Sequence, residues 1–229
     1  NGTKTWMTLA TVTDAGLVFA STDREKGRKG ISCFLVDYRE TPGIARSEFD
    51  KLGLWCSITG EAVFDDVKIP KNTLVGNKGE GYSILMEMLA HTRLCAAARA
   101  LGIAGAALDD SIKYAKERKQ FGRPIGEFQM IQSQIVDMYV EHEAAKLLLC
   151  QAAANQDRGI VDLAETATAK YYCCEMVLKA TDTALKIYSS VGYAMELPIQ
   201  RYLRDGHVAP ITEGTSNIQK LVIARSLLR

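Results

Sequence analysis

The sequence predicts an α+β chain, in which a partial antiparallel β-domain is followed by an up-down α domain of four-helix-bundle type. Three observations carry that expectation. Short β-branched, aromatic and apolar runs separated by charged or Pro-containing turns fill roughly the first 70 residues. From about residue 80 onward, Ala, Leu, Met and Glu dominate and apolar residues recur at three- and four-residue steps. Breaks at Gly122, Pro124 and Gly126, and again at NQDRG, divide this half into long helices with short connections.

The elements follow in order. KTWMT (4–8) suits an ordinary strand with Trp6 turned inward; it equally suits an exposed Trp–x–Thr pressed against a planar ring. LVFAST (17–22) and GISCFLVDY (30–38) flank the charged turn DREKGRKG, a hairpin signature. GEAVFDDVKIP supplies another strand, closed by Pro70. About five strands with open edges make a small β piece, poorly suited to standing alone. NKGEG (77–81) reads as a flexible boundary, which sets the expected domains at 1–75 and 76–229. Helices are expected over 80–117 and 127–156, from Asp162 to about SSVGY, over 198–204 and over 215–228.

Lys and Arg number 28 against 27 Asp and Glu, for a net charge of +1. That balance offers no bulk attraction to nucleic acid or an anionic membrane. The six cysteines form no CxxC pair and have no His at metal-ligand spacing. They read as reduced, mostly buried thiols of an intracellular protein, with no metal site. No apolar run reaches the ~18 residues of a membrane span. NGTKTW lacks the basic and apolar regions of a signal peptide and reads as a strand entered midway.

Two stretches carry candidate chemistry. In RKQFGRP (118–124), Arg118, Lys119 and Arg123 concentrate positive charge beside Phe121. Cations at a helix end complement its dipole, and a guanidinium beside a ring also suits a pyrophosphate with an aromatic cofactor. In TEGTSNIQ (212–219), Thr212 or Thr215 can cap a helix, with Glu213 complementing the dipole. The GTS run also presents closely spaced backbone N–H groups to an anion. His91, His142 and His207 are scattered and read as satisfied or exposed, and Cys173–Cys174 reads as core packing.

Taken in order, KTWMT, KLGL, VFDDVKIP, the TR of Thr92–Arg93, RKQFGRPI, VGY, RYLRD and TEGTSNIQ resemble the acyl-CoA dehydrogenase family across essentially the whole chain. The match is to the rear of that family's middle β-domain and to its C-terminal helical domain. The resemblance implies an FAD-dependent acyl-CoA dehydrogenase that desaturates an acyl-CoA thioester at the α,β bond. Glu213 corresponds to the base that takes the α-proton while a β-hydride passes to flavin N5. Trp6, Met7 and Thr8 match the Trp-Ile-Thr that covers the flavin ring. Arg118 and Phe121 match residues that grip FAD from a neighbouring subunit, and Gln129 matches the cofactor-contacting glutamine that follows them. Thr215 and Asn217 fall where the family holds the FAD diphosphate and adenosine, and Gly214 and Arg93 lie on the substrate side. Ser189 and Ser190 stand where the family has a Gly-Gly that lets FAD approach the backbone.

One branch of that family carries its base on the first long helix, immediately before the helix arginine. Thr92 stands there and cannot take a proton. Thr212 replaces a common Tyr, and Ala90 replaces an acidic residue, which points to an unusual acyl group. The implied partners are an acyl-CoA and an electron-transferring flavoprotein. The implied assembly is a dimer of dimers, or a hetero-oligomer with the part of the family's fold that this chain lacks, as in a split enzyme. The implied compartment is the bacterial cytoplasm or the mitochondrial matrix. A flavin oxidase or monooxygenase of the same fold is the alternative.

Overall fold

The first strand of the protein, β1 (Gly2–Thr8), pairs antiparallel with β5 (Thr59–Phe64), which also pairs with β4 (Ile44–Glu48). A second three-stranded antiparallel sheet has the order β2 (Ala15–Ser21), β3 (Ile31–Asp37), β6 (Leu74–Val75). The computed structural model describes residues 1–228. It divides into two compact units, Asn1–Leu89 and Ala90 onward.

In the first unit the charged turn makes the expected hairpin, with register running from Ala15 opposite Asp37 to Ser21 opposite Ile31. Two details depart from the sequence reading. Strand β4 was not legible in IARSE, which has little β-branched or aromatic content; it is formed by pairing with β5. The strand expected to run on to Pro70 stops at Phe64, and Asp66 then takes a φ of +47°. NKGEG is not loose. Asn77 donates from its backbone N–H and its side-chain amide to the Glu80 carboxylate (2.8 and 3.1 Å), and the Gly79 N–H donates to Ser32 Oγ (2.9 Å). Those Asn77 donors hold the Glu80 carboxyl below its usual range.

Helix α1 (Gly81–Glu117) leads into the second unit, where α2 (Gln129–Asp157) and α3 (Leu163–Tyr188) are the other long helices. Short elements complete it: the hairpin β7 (Lys119–Gln120) and β8 (Arg123–Pro124), then α4 (Ser190–Tyr193), α5 (Ile199–Gly206) and α6 (Ser216–Leu227). Its core is built on small side chains. Ala97, Ala100, Ala104 and Ala107 of α1 meet Ala145 and Ala152 of α2 and Ala169, Ala180 and Ala184 of α3 in one buried cluster. Such side chains allow close helix packing without voids. Cys173 and Cys174 lie in that core as expected, and burial pushes the Cys173 thiol up to about 12.

The ends of α3 fix the region around it. Asp162 caps the helix, its carboxylate accepting the N–H groups of Ala164 and Glu165 (2.7 and 3.3 Å). At the other end the ring of Tyr188 stacks on Tyr114 with centroids 4.0 Å apart. Both Tyr188 Oη and Tyr202 Oη donate to Asp110, at its carbonyl (2.9 Å) and carboxylate (3.0 Å) respectively. These contacts tie α1, α3 and α5 together.

Candidate active site

Of the two caps left open by the sequence, Thr215 is the one at α6, its hydroxyl accepting the Ile218 N–H at 3.4 Å. The two residues before it, Glu213 and Gly214, have φ of +55° and +87°. A left-handed conformation costs a residue with a Cβ roughly 1–2 kcal/mol, so the chain must hold Glu213 there from outside. Buried polar side chains do so. Glu213 O accepts from Gln219 Nε2 (3.2 Å) and Arg93 Nε (3.4 Å). Gly214 O accepts from Gln219 Nε2 (2.9 Å) and Lys170 Nζ (2.9 Å). Lys170 and Gln219 are fully buried and Arg93 is 3% exposed. A Cβ at Gly214 would lie 2.8 Å from the Gln219 amide nitrogen and would displace the amide that holds this turn, and the φ of +87° itself favours glycine.

The carboxylate is fixed separately. Thr92 Oγ1 donates to Glu213 Oε2 at 2.7 Å. The residue set aside as a base is thus the one that anchors the carboxylate, a role not visible in the sequence. Sequence reasoning also misses Lys170; the available signal is a lysine on the mostly apolar core face of α3. Desolvation lowers its pKa, with the nearby Glu175 and Glu213 carboxylates among the groups acting in the opposite direction. Arg93 Nη1 and Gln219 Oε1 are buried with no partner among the described residues.

A second group gathers at the end of α1. The β7–β8 hairpin turns through Phe121 (φ +51°) and Gly122 (φ +82°), a pair of left-handed residues that suits a tight two-residue turn. This places the Phe121 ring in the open at 93% exposure. Arg118, one residue after α1, and Gln129, the first residue of α2, are also exposed. The three cations of this stretch divide. Arg123 lies 4.3 Å over the Phe128 ring, whereas Arg118 forms no ion pair among the described residues. Arg118 follows Arg93 by 25 positions, so about 37 Å of helix separates the two groups.

Ser189 takes φ +57° and ψ −143°, a region populated almost only by glycine, and both it and Ser190 are exposed. Ser189 thus holds, with a side chain, a conformation that glycine adopts readily, whereas Ser190 begins α4. Ser189→Gly is expected to raise unfolding stability by about 1 kcal/mol, read as a higher denaturant midpoint; a lower midpoint would show that the side chain holds the turn. Thr215 and Asn217 are exposed at the start of α6.

In the first unit, the register of β1 against β5 shifts between Thr5 and Met7, and Trp6 has φ +58°. Trp6 is 69% exposed, edge-on to Phe49 at 5.1 Å, which selects the exposed of the two readings left open for it. Met7 is half-buried and Thr8 exposed. Among the described residues seven non-glycine residues have positive φ, and four of them, Trp6, Phe121, Ser189 and Glu213, are site candidates from the sequence. Strain of this kind concentrates at functional positions.

The family model for the acyl-CoA dehydrogenase C-terminal domain matches residues 79–228, and the model for the middle domain matches residues 1–67. The chain belongs to the acyl-CoA dehydrogenase family. Glutaryl-CoA dehydrogenase of Desulfococcus multivorans is 44% identical, over 98% of this chain and 58% of that protein. The mitochondrial short-chain specific acyl-CoA dehydrogenase of Mus musculus is 44% identical, over 100% of this chain and 56% of its own length. A solved glutaryl-coenzyme A dehydrogenase in complex with glutaryl-CoA superposes with a TM-score of 0.98 at 44% identity, covering 100% of this chain and 58% of that one. The chain thus spans a little over half the length of these relatives. Among its described residues no helix is long and apolar enough to cross a membrane, and no cluster of three or more His, Cys, Asp or Glu residues could hold a metal ion.

Proposed function

We propose that this chain forms part of an FAD-dependent acyl-CoA dehydrogenase in which Glu213 removes the α-proton of an acyl-CoA thioester. The observation that carries this reading is the double restraint on Glu213. Its backbone is held at positive φ by Arg93, Gln219 and, through Gly214, Lys170, while Thr92 fixes one carboxylate oxygen. With Oε2 engaged by Thr92, Oε1 remains to receive a proton. Preorganisation of this kind is what a general base needs, because the α-proton of a thioester is weakly acidic and its removal demands a fixed geometry. A carboxylate serving only the α6 dipole would need none of it.

The residues present fit a flavin dinucleotide. Trp6 and Phe121 are large aromatic side chains held exposed at positive φ, and Arg118 is an exposed guanidinium without an ion-pair partner among the described residues. Trp6, Met7 and Thr8 would cover the ring, and Ser189, Ser190, Thr215 and Asn217 would line its diphosphate and adenosine. Arg118, Phe121 and Gln129 would close on the cofactor of a neighbouring copy, because ~37 Å of helix keeps them from the Glu213 turn of their own chain. FAD, when bound, supplies the acceptor for the β-hydride. Arg93 and Gly214 lie on the substrate side, and an electron-transferring flavoprotein receives the electrons.

The test is anaerobic addition of short acyl-CoA esters to the flavin-loaded protein. The visible flavin band is expected to bleach and to recover slowly in air. Rapid peroxide formation in air without another acceptor would overturn the dehydrogenase reading in favour of an oxidase.

A further inference from the structure

Thr212, the residue immediately before Glu213, is engaged by an arginine of α1. Arg99 Nη2 donates to Thr212 Oγ1 at 3.0 Å. Arg99 follows Thr92 by seven positions on α1, so the two share one face of the helix about 10 Å apart along its axis. Side chains on a helix lean toward its N-terminus, which draws the guanidinium back toward Thr92 and therefore toward the Glu213 carboxylate that Thr92 holds. One stripe of α1 thus carries both the anchor of the proposed base and a cation bound to the residue beside it.

Arg99 is exposed and forms no ion pair among the described residues. The charges around it do not neutralise it. Arg93 and Lys170 are buried cations that donate to the Glu213 and Gly214 carbonyls, and Glu175 accepts from Ser216 Oγ at 2.5 Å. Arg93, Lys170 and Arg99 thus all donate to residues 212–214, the turn that carries the proposed base. A hydrocarbon acyl tail packed here would strip water from an unpaired guanidinium, at a cost that a carboxylate on the tail would remove.

Resting on the reading of Glu213 as base, we infer that Arg99, steadied by Thr212, receives the terminal carboxylate of a short dicarboxylic acyl-CoA. The bidentate fork of a guanidinium suits a carboxylate, and the exposed Arg99 has donors beyond the one given to Thr212.

The test compares three probes on the flavin-loaded protein: glutaryl-CoA, the same thioester with its terminal carboxylate converted to the amide, and butyryl-CoA. The parent protein is expected to show kcat/KM for glutaryl-CoA about 10- to 100-fold above that for the amide, the range of a charge-assisted hydrogen bond. Arg99→Met is expected to collapse that ratio toward one, and Arg99→Lys to retain part of it, since charge remains but the fork is lost. A ratio near one in the parent protein, or a ratio unmoved in Arg99→Met, overturns the inference; a purely structural brace would lower both rates together. The parent ratio decides the matter even where a variant folds poorly. Bleaching by butyryl-CoA without a preference for glutaryl-CoA over its amide would defeat this inference alone, whereas absence of bleaching by all three would defeat the base reading with it.

Discussion

Glu213→Gln is expected to bind FAD and acyl-CoA nearly as the parent protein does and to leave the flavin oxidised after substrate is added. The substitution keeps the volume and the possibility of a hydrogen bond with Thr92, and it does not touch the carbonyls held by Arg93, Lys170 and Gln219. What it removes is the ability to accept a proton. General-base catalysis contributes about 10²- to 10⁴-fold, so the rate of flavin bleaching should fall by roughly 10³-fold while the ligand dissociation constant changes little. Bleaching at the parent rate would exclude Glu213 as the base.

Arg118→Ala is expected to weaken FAD retention. Loss of a guanidinium that pairs with a phosphate costs about 1.5–3 kcal/mol, or roughly 10- to 100-fold in affinity. Arg118 has no ion pair to lose among the described residues, so the unfolding transition without FAD should stay where it was. The separation along α1 adds a sharper consequence. If the hairpin serves a neighbouring copy, mixed oligomers of Arg118→Ala and Glu213→Gln subunits should regain part of the activity that each variant lacks alone. Undiminished flavin after gel filtration, or mixed oligomers without recovery, would count against the shared site.

Much of the fold is legible because its signals are local. Asp162 reads as a cap and is one; Gly122, Pro124 and Gly126 end a helix and do; DREKGRKG turns a hairpin and does. Strand β4 was lost because its own residues do not prefer the conformation that its neighbour imposes. The restraints on the site were lost for a different reason. Thr92 and Glu213 are 121 positions apart, Arg99 and Thr212 are 113, and Lys170 and Gly214 are 44. No spacing rule links such pairs, and the resemblance named Arg93 and Glu213 without naming the side chains that fasten them. Backbone conformation was hidden too, since Trp6, Phe121 and Glu213 are not residues from which a left-handed φ is read.

The same four strained positions matter to anyone who wishes to make this chain hardier. A stability screen would be drawn to Trp6, Phe121, Ser189 and Glu213 among the positive-φ residues, where glycine or asparagine relieves the backbone. Three of them carry a side chain with proposed work to do, so gains in thermal tolerance there are to be expected at the expense of turnover. At Ser189, where the proposed contact with the cofactor lies along the backbone, relief of the strain carries the smallest expected loss.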